Sequence, residues 1–437
     1  MQLHKTGVVL LALLLAAMAM VPMVNAATGE QNSGVISTEV TDNAILSNDK
    51  IAMNYIPIET AHDHALIKMI EFTRNGLVDD SWKGAIINPN PVVIYDMDGR
   101  KLFYQFAVEK DGKKIGEILS SASKVLGVSV QLFGDPSPYD TSTVQNNVKD
   151  LAKKKFPGFT VQSTKMVCYS YPKIGVMVHL VNAKTREEKD VVYDAIYLSE
   201  IPQKKPAIDG DAGTFSYYNL IPETTFPEKI AQWNKLDNTV NDIKNKATAQ
   251  GIDISQGISD NNTQTLNQII SASTTGVFEY EELPRGFPTI DQGSTQWCQV
   301  ATAWVITKYY DRTTSRTLNS IAAKMLIPDT QHTARWDNEL NYYTSSYPSG
   351  GLGKIDSYYR MTSPPLAYET VKTEIHNTRP LKVGYQGHSR ACIGYSRNPA
   401  GDTYYKFSNS WGGVLQWEAA PNLYGSISGY NEYIIVQ

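Results

Sequence analysis

The chain has 437 residues, with 40 lysines and arginines against 44 aspartates and glutamates and a net charge of −4. The two signs are interspersed, which excludes the basic field that holds nucleic acid. Three widely spaced cysteines (Cys168, Cys298, Cys392) exclude a disulfide framework, and without a CxxC or HExxH pattern nothing points to a metal or other cofactor.

Residues 1–26 read as a secretory signal. A basic start (His4, Lys5) precedes an apolar run from Val8 to Val21 and small residues ending in Val24-Asn25-Ala26. The run is shorter than the ~20 residues of a spanning helix, so cleavage rather than anchoring is expected. No later stretch reads as a membrane span. The mature protein is thus expected to be secreted or on the cell-envelope exterior. Residues 27–52 are polar and irregular, a flexible lead-in.

Over 53–202 the pattern predicts an α+β pro-region of two units. In the first, apolar spacing predicts a helix over 60–73 with Thr60 as N-cap. Strands at Val92–Tyr95, Leu102–Val108 and Ile115–Leu119 follow, separated by the hairpin signals Asp98-Gly99 and Asp111-Gly112. In the second, Val144, Val148 and Leu151 mark a helix ended by Pro157-Gly158. Strands near Thr160–Tyr169, Ile174–Val181 and Asp190–Tyr197 complete the unit. The repeat suggests a duplicated helix-plus-antiparallel-sheet module.

Residues 203–282 change character and read as a linker with one helix, Pro227–Gln250, and a polar stretch Ser255–Thr275. An exposed linker of this kind is the expected site of activation cleavage. Asp209-Gly210-Asp211 has the look of a calcium turn but lacks further ligands and reads as a solvated turn.

Residues 283–437 carry the chemistry. Cys298 stands where the loop Gln292–Trp297 runs into a predicted helix, Cys298–Tyr310, with Val300, Ala301, Trp304 and Val305 as its inward stripe. The positive end of a helix dipole favours a thiolate, the nucleophilic form. A lone cysteine there is more often a buried packing residue, so the weight falls on its partners. Downstream, a strand over 380–385, a bend at Gly387 and a second strand starting near His388 are followed by a strand Tyr404–Phe407 ending in Ser408-Asn409-Ser410-Trp411-Gly412. Adjacent strands bring His388 beside Asn409, whose carboxamide orients the imidazole while Trp411 shields the bond. Gly350-Gly351 offers a backbone edge for an extended substrate, or a plain turn. The other histidines (His62, His64, His179, His332, His376) read as structural or surface residues, and Cys168 and Cys392 as buried thiols.

Taken together these motifs resemble the papain-like cysteine peptidases. Gln292 and Cys298 are six residues apart, as are that family's oxyanion-hole glutamine and nucleophile. Asn409-Ser410-Trp411-Gly412 is similar to its N-S-W-G motif, and His388 followed by Gly394-Tyr395 to its histidine neighbourhood. The Gln292–Cys298 stretch, with Trp297 before the thiol, resembles that of the staphopains. The N-terminal pattern looks like a cystatin-like propeptide. The resemblance implies a helical subdomain facing an antiparallel β-barrel-like one. It also implies roles: Cys298 as nucleophile, His388 as its acid–base partner, Asn409 as orienter and Gln292 as oxyanion donor. Trp297, Trp411, Gly350 and Gly351 would line or shield the substrate. The implied protein is a zymogen acting on proteins or peptides, with its own pro-region as inhibitor. A cell-wall peptide amidase and a non-catalytic surface protein are the alternatives. The departures are Gln299, where plant-type members place a tryptophan, the missing papain disulfide cysteines and a shorter catalytic region.

Overall fold

A computed structural model describes residues 49–206, 212–254, 260–273, 277–284, 286–361, 367–385, 387–420 and 431–437. The signal segment, most of the lead-in and the Asp209-Gly210-Asp211 turn lie outside the described residues. Residues 49–437 pack as one compact unit of mixed α and β structure.

Its first part runs α1 (Ile58–Arg74), β1 (Ile86–Ile87), β2 (Val92–Asp96), β3 (Lys101–Lys110), β4 (Lys113–Ser121) and β5 (Val130–Gly134). Then come α2 (Thr141–Lys155), β6 (Phe159–Ser170), β7 (Lys173–Asn182) and β8 (Glu188–Asp194). Asp111 (φ 52°) and Gly112 (φ 71°) form the β3–β4 turn with both central residues in the positive-φ region that a two-residue hairpin favours. The helices differ from expectation at their starts. Pro57, not Thr60, precedes α1, and Asp140 caps α2 by accepting from Thr143 N–H at 2.8 Å. Strand β8 stops at Asp194 because its side chain turns back to accept the N–H groups of Ile196 and Tyr197 at 2.7 and 2.8 Å.

Two helices follow, α3 (Phe226–Ala249) and α4 (Asp260–Ser273), where one was expected. The polar stretch around 260–273 is helical because Leu266, Ile269 and Ile270 fall on one face and are buried with α1 and α3 residues in one apolar cluster. The last part comprises β9 (Glu279–Glu282), α5 (Cys298–Tyr310), α6 (Leu318–Lys324), α7 (Trp336–Thr344), β10 (Tyr358–Met361), α8 (Tyr368–His376), β11 (Leu381–Tyr385), β12 (His388–Arg397), β13 (Thr403–Asn409), β14 (Val414–Ala419) and β15 (Asn431–Ile435).

The strands join in one sheet, in the order β10-β15-β11-β12-β13-β14-β5-β4-β3-β2-β6-β7-β8, with β1 on β3 and β9 on β12. The pairings are antiparallel except β2 with β6, which joins the two N-terminal units. Strand β5 is not among the strands expected from the sequence, and it is the strand that fuses the two halves of the chain. It pairs with β14 through Gly134↔Gln416, Phe133↔Trp417 and Leu132↔Glu418. Gly134 has φ 151°, and a Cβ there would lie 2.5 Å from the Leu415 carbonyl oxygen, so only glycine admits this approach.

The core follows the sheet across the junction. Phe72 of α1 stacks on Phe133 with ring centroids 3.5 Å apart, and Tyr404 and Trp417 pack on the same ring. Buried beside them, Lys68 of α1 bridges Glu71 and Asp402 at 3.0 and 2.6 Å, and Asn398 donates to Glu71 at 2.9 Å. Desolvation opposes the Lys68 ammonium, but the carboxylates of Asp402 and Glu71 outweigh it and hold its pKa well above the usual range. Among the described residues no helix is long and apolar enough to cross a membrane.

Candidate active site

Helix α5 begins at Cys298 because the chain is pinned just before it. Gln296 N–H donates to Thr330 O at 2.8 Å and the Trp297 indole N–H to Asp329 O at 2.9 Å. No side chain caps the helix start. Cys298, as its first residue, thus stands at the positive end of the helix dipole. The expected single apolar stripe is not what the helix presents. It is buried nearly all round, from Cys298 to Ala303 and again from Val305 to Thr307, with Trp304 on the half-buried side. Cys298 itself has no exposed surface.

The helix packs on β12, whose first residue is His388. The tight β11–β12 hairpin turns at Gly387 (φ 83°), a conformation glycine adopts without strain. His388 Nε2 lies 2.6 Å from Asn409 Oδ1 at the end of β13. The Trp411 backbone N–H donates to the same oxygen at 3.1 Å. Asn409 Oδ1 is thus an acceptor, Nε2 carries the hydrogen, and Nδ1 is the ring nitrogen on the opposite side. His388, Asn409 and Trp411 are all buried.

Gln292 is tied to the same strand end. Its backbone N–H donates to Ser410 O at 2.9 Å, its Oε1 accepts from Ser410 Oγ at 2.9 Å, and its Nε2 donates to Thr295 O at 2.8 Å. Gln292, through Ser410, and His388, through Asn409, are thus tied to the same end of β13. Gly350 and Gly351 lie in a turn after Tyr347–Ser349, where both carbonyls accept from the Arg316 guanidinium. The remaining histidines serve elsewhere. His64 stacks on Trp233 and pairs with Asp237, while His179, His332 and His376 each face a surface carboxylate.

Sequence reasoning missed two site residues, both from the N-terminal half. Lys173, at the β6–β7 hairpin, buries its side chain and donates from Nζ to Gly387 O at 2.8 Å. Asp194 Oδ2 accepts from the Trp411 indole N–H at 2.9 Å and from Tyr169 OH at 2.5 Å. A lysine in a turn and an aspartate at a strand end carry no motif, and only the fold brings them here.

Charge around the imidazole is unbalanced. Burial, then the Lys173 ammonium, then the Arg390 guanidinium depress the His388 pKa well below the usual range, against the opposing bond to Asn409. Arg390 is itself buried and ion-paired with Glu418. The folded ring is therefore neutral near pH 7. As the pH falls through about 6.5, the unfolded chain takes up a proton that the folded ring refuses, so this group removes stability on the acid side. The expected NMR result is that the His388 ring resonances of the intact chain hold their positions between about pH 7.5 and 5.5, where an ordinary histidine titrates.

Among the described residues no group of three or more histidine, cysteine, aspartate or glutamate side chains is placed to hold a metal ion. Residues 285–424 match the model of the Peptidase_C39 like family, a family of cysteine-peptidase type. The match takes in Gln292, Cys298, His388 and Asn409 and stops short of β15. No curated protein matches the chain.

Proposed function

We propose that the protein is an exported cysteine endopeptidase of papain-like mechanism, made as an inactive precursor. The observation that carries this reading is the buried 2.6 Å bond between His388 Nε2 and Asn409 Oδ1, on strands packed beneath the helix that Cys298 opens. A thiol at a helix start is ambiguous; an imidazole fixed by a carboxamide beside it has a chemical purpose.

In this reading His388 Nδ1 takes the proton of the Cys298 thiol, and the resulting thiolate attacks the scissile carbonyl carbon while the carbonyl π electrons move to oxygen. The backbone N–H of Cys298 and the side-chain amide of Gln292 stabilise that oxyanion. As the C–N bond breaks, His388 Nδ1 gives its proton to the departing amine, leaving a thioester. Water then attacks the thioester, His388 takes its proton, and collapse of the second tetrahedral intermediate releases the acid and restores the thiolate. Asn409 keeps the ring turned through both steps. Residues 27–282 would hold the site silent until cleavage within 203–282.

The test is hydrolysis of casein by the secreted, processed protein, with iodoacetamide labelling of Cys298 as the parallel readout. Asn409→Ala is expected to lower kcat by roughly 10- to 10³-fold with KM little changed, because it loosens the base without touching substrate. Hydrolysis of peptidoglycan fragments but not casein would favour the amidase. Absence of labelling and of hydrolysis in processed protein would favour a binding scaffold.

A further inference from the structure

We propose that the N-terminal half is a permanent subunit of the folded body, so that a chain cut within 203–282 persists as a two-chain complex. The surface concerned is the β14 edge with the aromatic face beside it, and its partner is this chain's own N-terminal half. The inference goes beyond the peptidase reading and takes from it only the expectation of a cut.

The argument lies in what a departing N-terminal half would uncover. Strand β14 would lose β5 and become an open edge. The Leu415 N–H, bonded to Asp135 Oδ2 at 2.9 Å, and the Leu415 carbonyl, which accepts from Asp135 N–H at 3.1 Å, would lose those partners. Tyr404 and Trp417, each no more than 4 % exposed, would lose the Phe72 and Phe133 rings that cover them. Their polar atoms are committed to the same half: Tyr404 OH donates to Val130 O at 3.2 Å and the Trp417 indole N–H to Leu77 O at 2.8 Å. Asp402 would be stripped of Lys68, and Asn398 of Glu71. A second set of bonds seats the same half near the candidate site, with Lys173 Nζ on the Gly387 carbonyl at 2.8 Å and Asp194 on the Trp411 indole at 2.9 Å.

Contacts made to be broken are small, wet and polar. This junction combines an aromatic core, a strand pairing and a buried ion pair, the make-up of an obligate interface. Separating Lys68 from Asp402 would divide that pair between two fragments, and an uncompensated buried charge is among the costliest results of opening an interface. Close fit adds to this. A Cβ on Gly134 would meet Gln416 Cα at 2.8 Å as well as the Leu415 carbonyl, so the two backbones touch with nothing between them. The linker adds only effective concentration, which such surfaces do not need. Opening of the site therefore proceeds with the N-terminal half attached, by a shift of its contacts at Gly387 and Trp411 and not by its loss.

The experiment inserts a site for a sequence-specific protease between residues 273 and 277 of the full chain and cuts it there. The product is passed over a sizing column in about 0.1 M and about 1 M NaCl. The two fragments are expected to elute together at the size of the uncut chain in both, because a Debye length of ~3 Å at 1 M screens surface charge but not an apolar junction. Gly134→Ala and Trp417→Phe are each expected to lower the urea concentration that parts the fragments, by on the order of 1 M. Near-UV circular dichroism of the uncut variants shows that each folds; where Gly134→Ala does not, Trp417→Phe decides. Separation of the wild-type fragments without urea, or an unchanged urea midpoint in the folded variants, overturns the inference. The secreted, processed protein on the same column tells its failure from that of the peptidase reading. Casein hydrolysis in a fraction holding the C-terminal fragment alone overturns the two-chain body and keeps the peptidase; co-eluting fragments without hydrolysis do the reverse.

Discussion

Cys298→Ala is expected to abolish casein hydrolysis by the processed protein, with a loss on the order of 10⁴-fold or more, while the fold is retained. In the proposed mechanism the Cys298 sulfur forms the thioester, and neither water nor His388 would replace it at a comparable rate. The substitution removes one small buried atom from a site already fully enclosed, so its effect on melting is expected to stay within about 1 kcal/mol. His388→Ala should cost nearly as much, because the thiol then has no partner to take and return the proton. The double variant should be hardly worse than either single one, since residues that act as a unit are not additive. Rates for the three variants check this. A Cys298→Ala protein that still cleaves casein at more than a trace would place the chemistry elsewhere.

The second large effect is on stability. Trp417→Ala should destabilise the chain by about 3–5 kcal/mol in a single unfolding transition that takes both halves with it. Trp417 is on β14, opposite Phe133 of β5, with its ring parallel to the phenylalanine at 6.2 Å. Its indole N–H donates to Leu77 O at 2.8 Å, and 2 % of its surface is exposed. Truncation opens a cavity in the core shared by both halves and leaves the Leu77 carbonyl without that donor. Calorimetry together with near-UV circular dichroism reads the result. Two separate transitions, with only the later one shifted, would show that the halves fold independently and that the continuous sheet is not a cooperative one.

How much of this was legible in the sequence depended on distance along the chain. Gln292, Cys298, His388 and Asn409 could be singled out because each role proposed for them needs one residue type beside a strand end or a helix start, and such signals are local. The hairpins at Asp98-Gly99 and Asp111-Gly112, the helices α1, α2, α3 and α5 and most strands followed from spacing for the same reason. What escaped was set by pairing between remote segments. Strand β5 is short, and its partner β14 is about 280 residues downstream, a gap that no periodicity spans. Helix α4 was hidden in a serine- and asparagine-rich stretch, although three apolar residues on one face were enough once α1 and α3 were there to receive them. Lys173 belongs to no motif; only the pairing of β6 with β7 and its bond to the Gly387 carbonyl bring it to the residue before His388.

The position of β15 sets the order in which the molecule can be completed. It lies between β10 and β11, pairing Arg360 with Tyr433 on one side and Val383 with Tyr433 on the other. As the chain emerges during synthesis, the strands on either side of that slot arrive well before their common neighbour. The β11–β12 hairpin that carries His388 therefore has an open edge until residues 431–435 have crossed. By then the whole N-terminal half, Lys173 included, has long been available to fold. The N-terminal half precedes the strand that closes the sheet, and the sheet is finished in its presence.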